Sequence, residues 1–371
     1  MTHQDFDGMQ VVETVEGLWG VPLQPAGCAQ CGQAHLVAAS RIGIICPHCG
    51  REKLVSQPAQ LREEPPEKLV PFLKERSHLS AIFSGFVKGV WLRSDDFDVD
   101  KLLERAVPVF WPMWLVDSEV AGTWEAEMGF DYQVKSSQEF YSGANWQSRE
   151  MLEDRVRWEA RLGGVKRHHD NIATPALEGH QALLKLVGRY DFKHAVDYDP
   201  LLVEDAALRI PDLQMESTWP LARVRLDQVV ADECRQAAGG QHIRNFSARL
   251  DYDGLNWTQL LLPLYFTYYT DDDGVPHPVY INGQTGAVGG LRLASQGKGW
   301  KWAGITAAVA FAVFLISLLC FALSALLPPA AVLGVGLAVL SLIIGVGAIV
   351  PAVWPWQWNR KQQDGKVIIS L

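Results

Sequence analysis

The chain has 371 residues, 48% of them hydrophobic, and a formal net charge of −9. That length accommodates two or three soluble domains. The acidic balance argues against duplex nucleic acid as the main partner, because affinity for a phosphate backbone is chiefly electrostatic and draws on an excess of Lys and Arg.

The first residues, MTHQDFDGMQ, carry Asp5 and Asp7 and no apolar core, so they do not read as a secretory signal. The region that follows is expected to stay in the cytosol, where thiols are reduced and a C-x-x-C pair favours metal over a disulfide. Of six cysteines, four form two copies of C-x-x-C-G, Cys28-Ala-Gln-Cys31-Gly32 and Cys46-Pro-His-Cys49-Gly50, with fourteen residues between Cys31 and Cys46. This spacing aims both thiolates of a knuckle at one ion, and the glycine relieves crowding where amides turn toward the sulfurs. Two knuckles close a tetrahedral site, so Cys28, Cys31, Cys46 and Cys49 are expected to ligate a structural zinc ion. Four thiolates leave no open position for water, which argues against catalysis by this metal. His35 and His48 read as surface residues rather than ligands. Leu36–Ala39 and Ile42–Ile45 read as short strands around a turn, completing a zinc ribbon within residues 1–55. Arg41 is the one Lys or Arg between Cys28 and Cys49, which is too little for a phosphate track.

Residues 56–68, SQPAQLREEPPEK, read as an extended or mobile linker. A cytosolic α+β domain is expected over 69–295, built of curved antiparallel sheet and a few helices. Lys101–Ala106 reads as a helix after the acidic turn Asp95–Asp98. Val107–Asp117 (VPVFWPMWLVD) is a proline-and-aromatic run, and Val120–Met128 alternates like a strand. Asp154–Leu162 fits a strand through Val156, Trp158 and Ala160 better than an amphipathic helix. His168, His169 and His180 are the best candidates for a second metal or catalytic site. Adjacent histidines on a strand face opposite ways, however, which favours a solvated loop. Pro220–Ala238 reads as a helix with Leu221, Val224, Leu226, Val229, Val230 and Cys234 on or near one face, ended by Gly239-Gly240. Cys234 is then a core thiol.

Leu260–Thr270 (LLLPLYFTYYT) is a second proline-and-aromatic run. Asp271-Asp272-Asp273-Gly274 lacks the spacing and distant Glu of a calcium loop and reads as a hairpin turn. In Tyr280–Gly290 (YINGQTGAVGG), Asn282-Gly283 predicts a two-residue hairpin turn. Each aromatic run is followed by an acidic turn and a returning strand, which suggests two related β units and an old duplication.

Ala303–Leu327 and Ala330–Val353 each carry enough uncharged apolar residues to cross a membrane, and Pro328-Pro329 breaks the helix between them. A transmembrane hairpin is thus expected within 296–358, with a cytosolic tail over 359–371. Lys298 and Lys301 before it, and Arg360, Lys361 and Lys366 after it, place both ends in the cytoplasm. Trp300, Trp302, Trp354, Trp356 and Trp358 would form one aromatic belt. Gly334, Ala338, Ser341 and Gly345 offer small residues for packing the hairpin, a second copy or a partner. No Asp, Glu, Lys, Arg or His lies within either span, which favours an anchor over a transporter.

No GxxxxGK[ST], GxGxxG, HExxH or GxSxG occurs. The two C-x-x-C-G knuckles, Val70-Pro71-Phe72, VPVFWPMWLVD, Val156-Arg157-Trp158, Tyr198-Asp199-Pro200, LLLPLYFTYY and VYINGQTGAVGG, followed by a membrane hairpin, together resemble a bacterial family: zinc-ribbon membrane proteins labelled TFIIB-type zinc ribbon proteins and often mislabelled primosomal helicases. The helicase label fails here for want of a nucleotide-binding loop. The resemblance implies no enzymatic activity. It implies a membrane-anchored adaptor of the inner membrane in envelope stress or membrane organisation, with phage-shock-protein-A-like or SPFH/flotillin-like partners; self-association is a further expectation. The alternative is a membrane-tethered ribbon that binds nucleic acid.

Overall fold

The structure is a computed structural model that describes residues 9–12, 14–143 and 145–364. The acidic start Met1–Gly8, and Lys366 in the tail, lie outside these residues. The strands are β1 (Met9–Val12), β2 (Leu23–Cys28), β3 (Ala34–Ala38), β4 (Leu54–Ser56), β5 (Ala59–Arg62), β6 (Lys68–Leu69), β7 (Val107–Ser142), β8 (Asn145–Pro175), β9 (Val196–Asp197), β10 (Ala207–Arg209), β11 (His242–Thr270), β12 (Pro276–Asn282) and β13 (Val288–Gly290). The helices are α1 (Glu16–Trp19), α2 (Arg76–Val87), α3 (Val99–Glu104), α4 (His180–Val187), α5 (Met215–Ala238), α6 (Gln296–Leu323), α7 (Pro329–Gly347) and α8 (Ile349–Asp364). The class is mixed α+β, and the chain divides into two compact units.

The first unit comprises residues 1–112, 178–211 and 261–371. Its sheet runs β13-β12-β11-β7-β10-β3-β2-β4, antiparallel where β12 meets β11 and β13, parallel at β10–β7. One core lies between α2, α3 and the strands, around Phe83, Phe97 and Tyr269; Phe97 and Tyr269 stack with ring centroids 4.2 Å apart. A second gathers Trp19, Leu23, Leu36, Leu69 and Phe110.

Several sequence expectations change here. Ile42–Ile45 is not a strand, because Gly43 turns the backbone through a left-handed φ of 91° and Ile44 bonds Leu54 instead. The partners of β3 are β2 and β10. The expected linker holds β5, which pairs with β1 and buries Leu61, while Arg62 bridges Glu64 and Glu67.

Tyr280–Gly290 also turns differently. The Asn282 side chain accepts from the Gln284 and Thr285 amides, and the left-handed residue is Gly286, at φ 80°. Asn282 thus ends a strand and caps a longer turn. Gly283 is required for close approach instead: a Cβ there would stand 2.6 Å from Phe72 Cδ1 and 2.9 Å from Pro263 Cβ. Gly283→Ala should cost about 2 kcal/mol by overpacking, read as a lower midpoint of thermal unfolding. An unchanged midpoint would show that Phe72 yields freely. Asp271–Gly274 is the expected hairpin turn, with Asp271 Oδ1 accepting from the Asp273 and Val275 amides.

Helices α6 and α7 pack as a hairpin, and α8 continues past Trp358 to Asp364, where a tail was expected. Ala303, Ala310 and Ser317 of α6 are buried at heptad spacing. Ser317 Oγ donates to Gly334 O at 2.8 Å and Ser341 Oγ to Ala310 O at 2.9 Å, across the seam of small residues. α7 begins at Pro329, which suits a first helical turn. Residues 296–323 and 329–363 are long and apolar enough to cross a membrane, and their most apolar stretches are largely exposed. Of the five tryptophans, Trp300, Trp302 and Trp356 point outward, whereas Trp354 and Trp358 pack on the α2–α3 core and against each other.

The second unit comprises residues 113–177 and 212–260. Here β7 pairs with β8 from Met113↔Pro175 to Ser142↔Asn145, with one bulge at Val116/Ser118. The acidic turn expected after Val107–Asp117 is this bulge, so the likeness of the two aromatic runs is confined to strand-forming segments. α5 covers the sheet through a single ridge: Thr218, Ala222, Leu226, Val230, Cys234 and Ala238. Leu221, Val224 and Val229, expected on that face, are exposed, because spacing by four follows the helix more closely than apolarity alone. The helix starts at Met215 and contains Pro220 near its first turns.

Candidate metal centre

The four cysteines converge from two tight turns. Gly32 N donates to Cys28 O at 2.8 Å and Gly50 N to Cys46 O at 3.0 Å, and both glycines take a left-handed φ (71° and 68°). Each C-x-x-C-G copy thus folds the same way, and a Cβ at the final position would be strained. The turns aim amides at sulfur: Gln33 N–H at Cys31, the His48 and Cys49 amides at Cys46, and the Arg51 and Glu52 amides at Cys49.

All four Sγ atoms lie within 4.8 Å of one another. Cys28 and Cys49 stand 3.7 Å apart, and Cys31 and Cys46 3.8 Å. A disulfide would need about 2.05 Å. A tetrahedron with metal–sulfur bonds of about 2.3 Å has edges of about 3.8 Å, so the observed spacing fits one ion held by four thiolates. The contact between the two sulfurs lowers the Cys31 thiol, with the His48 side chain adding to this, whereas the same contact and burial raise Cys46 and burial raises Cys49. Among the described residues the four cysteines are the one group of Cys, His, Asp and Glu close enough to hold a metal.

The module is seated on the sheet of its own unit. Tyr280 Oη donates to His48 O at 2.6 Å, and Gly50 lies against Phe266 and Tyr268. The buried Arg209 donates to Ala34 O at 2.8 Å, fixing the edge of β3. His35 is buried, not at the surface as expected. Desolvation, with Arg209 and His48 nearby, holds it well below its ordinary range and so neutral. Neither Tyr280 nor Arg209 announces itself in sequence, since each reaches the knuckles only through long-range strand pairing.

The other histidine candidates do not assemble. His168 is exposed between Glu119 and Asp170; His169 is buried toward Glu233, 3.8 Å away. His180 begins α4 and packs on Trp111 with ring centroids 5.2 Å apart. Cys234 is buried in the α5 ridge as expected. No family model, curated protein or solved structure matches the chain.

Proposed function

We propose that this protein is a non-enzymatic adaptor: a zinc-ribbon platform held at the bacterial inner membrane by a helical hairpin, recruiting cytosolic partners. The observation that carries the reading is a four-thiolate centre seated, through Tyr280 and Gly50, on the sheet of the unit that also holds α6 and α7. Four thiolates saturate a tetrahedral ion, so it acts as a staple rather than a reagent. Zinc is the metal best suited to a closed all-thiolate tetrahedron in a non-redox role.

Lys301, Arg360 and Lys361 flank the spans, and Trp300, Trp302 and Trp356 point outward at the same ends, which supports both ends on the cytoplasmic side. Resemblance to the TFIIB-type zinc-ribbon membrane family supports phage-shock-protein-A-like or SPFH/flotillin-like partners in envelope stress.

The test is affinity capture of the detergent-solubilised full chain from a bacterial membrane extract, with mass spectrometry. One of those partner classes should be enriched at least about tenfold over a Cys28→Ser, Cys31→Ser control. Equal recovery with both baits would refute the reading. Salt-dependent DNA or RNA shifts by the purified chain would favour the nucleic-acid alternative.

A further inference from the structure

Beyond Asp131, β7 and β8 leave the rest of the second unit's sheet. β11 begins at His242, whose ring bonds Asp131, and no third strand joins residues 132–157 among those described. The result is a two-stranded arm with a backbone edge free on each side. Such a ribbon is marginal alone in water, and this one is not dressed as a solvated hairpin. Tyr132, Phe140, Met151, Tyr141, Trp146 and Leu152 are all more than 40% exposed.

The pairing Tyr132↔Arg155, Lys135↔Leu152 and Tyr141↔Trp146 sorts these side chains onto two faces, since successive residues alternate. One face carries Tyr132, Val134, Phe140 and Met151 with Arg149, Arg155 and Arg157, of which Arg155 bridges Glu153 at 3.0 Å and Arg157 bridges Glu159, at the base of the arm, at 2.9 Å. The other carries Tyr141, Trp146, Leu152 and Val156 with Glu139, Glu150 and Asp154 against a single base, Lys135. The basic face also continues a covered surface. Ala126, Met128 and Phe130 precede Tyr132 on that side, and they pack in the α5 core, which ends at Ala238.

An arm with two apolar faces of opposite charge is complementary to another copy of itself. We infer that residues 132–157 form a self-assembly module in which the arginine face of one arm docks on the acidic face of a second copy's arm. One kind of contact then covers both faces, pairs the charges and, because the joined surfaces differ, propagates into a ring or open row rather than stopping at a two-fold dimer. The inference depends on neither the metal nor the identity of a recruited protein.

A charge-swap experiment tests it. Full-length chains carrying donor and acceptor dyes are co-reconstituted in phosphatidylcholine vesicles, and energy transfer reports association. Arg149→Glu with Arg157→Glu makes both faces acidic, and Glu139→Arg with Glu150→Arg makes both basic. Each pair should lower transfer about tenfold, since like charges across a contact cost several kcal/mol. A chain carrying all four changes, or a mixture of the two double variants, should regain wild-type transfer. Replacing 133–156 by Asn-Gly should abolish transfer while the metal content stays unchanged. Wild-type transfer in either double variant or in the arm deletion, or failure of the four-site chain to recover, would overturn the proposal.

Discussion

Cys46→Ser is expected to take metal content from one ion per chain to near zero and to loosen the whole knuckle module. Cys46 is fully buried, and its sulfur accepts two amides while standing 3.8 Å from Cys31. A serine hydroxyl there neither ionises near neutrality nor completes the tetrahedron. Structural zinc binding is worth about 10–16 kcal/mol, which matches or exceeds the net stability of an ordinary domain. The knuckle end of the 28–53 segment has little else to hold it than the Tyr280–His48 hydrogen bond and the Gly50 contact, because the pairing of β3 with β2 and β10, Leu36 and the Arg209 bond hold only its other end. Loss of the ion should therefore open it, exposing the segment to protease. Helices α6 and α7 depend on their own seam, so membrane association should persist. Metal analysis of the purified variant and timed proteolysis read the two effects. An ion still bound stoichiometrically would exclude Cys46 as a ligand.

What the sequence disclosed was local. A C-x-x-C-G turn closes within five residues, so its clustered sulfurs and its left-handed glycine are written in adjacent letters. A run of uncharged apolar residues declares, in the same way, a helix long and apolar enough to cross a membrane. The long strands were hidden for the opposite reason. β7 extends for 36 residues, but its distal part is exposed on both faces, so no period of two marks it. The α5 face was misread because Leu221 and Val224 are apolar yet face solvent, while Thr218 and Ala222 form the ridge. Asn282-Gly283 has the letters of a tight turn, but Phe72 and Pro263 claim the space beside Gly283 and Asn282 spends its side chain on the following amides. His35 and Arg209 meet across β3 and β10, which are far apart in sequence. At Gly283 and His35 a distant partner overrode the local preference, whereas in β7 and α5 exposure hid the pattern.

Asp96→Asn should be the most damaging substitution outside the metal centre, at about 3 kcal/mol. Its carboxylate receives both terminal nitrogens of Arg105, at 2.6 and 2.8 Å, and the Thr270 amide and hydroxyl, at 2.7 and 2.8 Å. Lys101 lies 3.4 Å away, and the Asp96 side chain is only 16% exposed. This one group ties the acidic turn to α3 and to the end of β11. An asparagine keeps the shape but meets Arg105 with no charge and must turn an NH2 toward one of these donors, leaving the guanidinium half-buried and uncompensated. The Arg105 bonds, followed by those from Thr270, hold the Asp96 carboxyl well below the usual carboxylate range despite its partial burial. The sign follows from linkage: a depressed folded value means that the unfolded chain binds the proton first. The stabilisation is therefore complete above the unfolded value of about 3.9 and is lost as pH falls through the folded value. Thermal unfolding of the full chain in detergent, followed by tryptophan fluorescence, should show the wild type well above Asp96→Asn at pH 7, with the gap closing steadily below about pH 4. Equal midpoints at pH 7, or a gap that widens in acid, would mean that the carboxylate does not hold this corner of the fold.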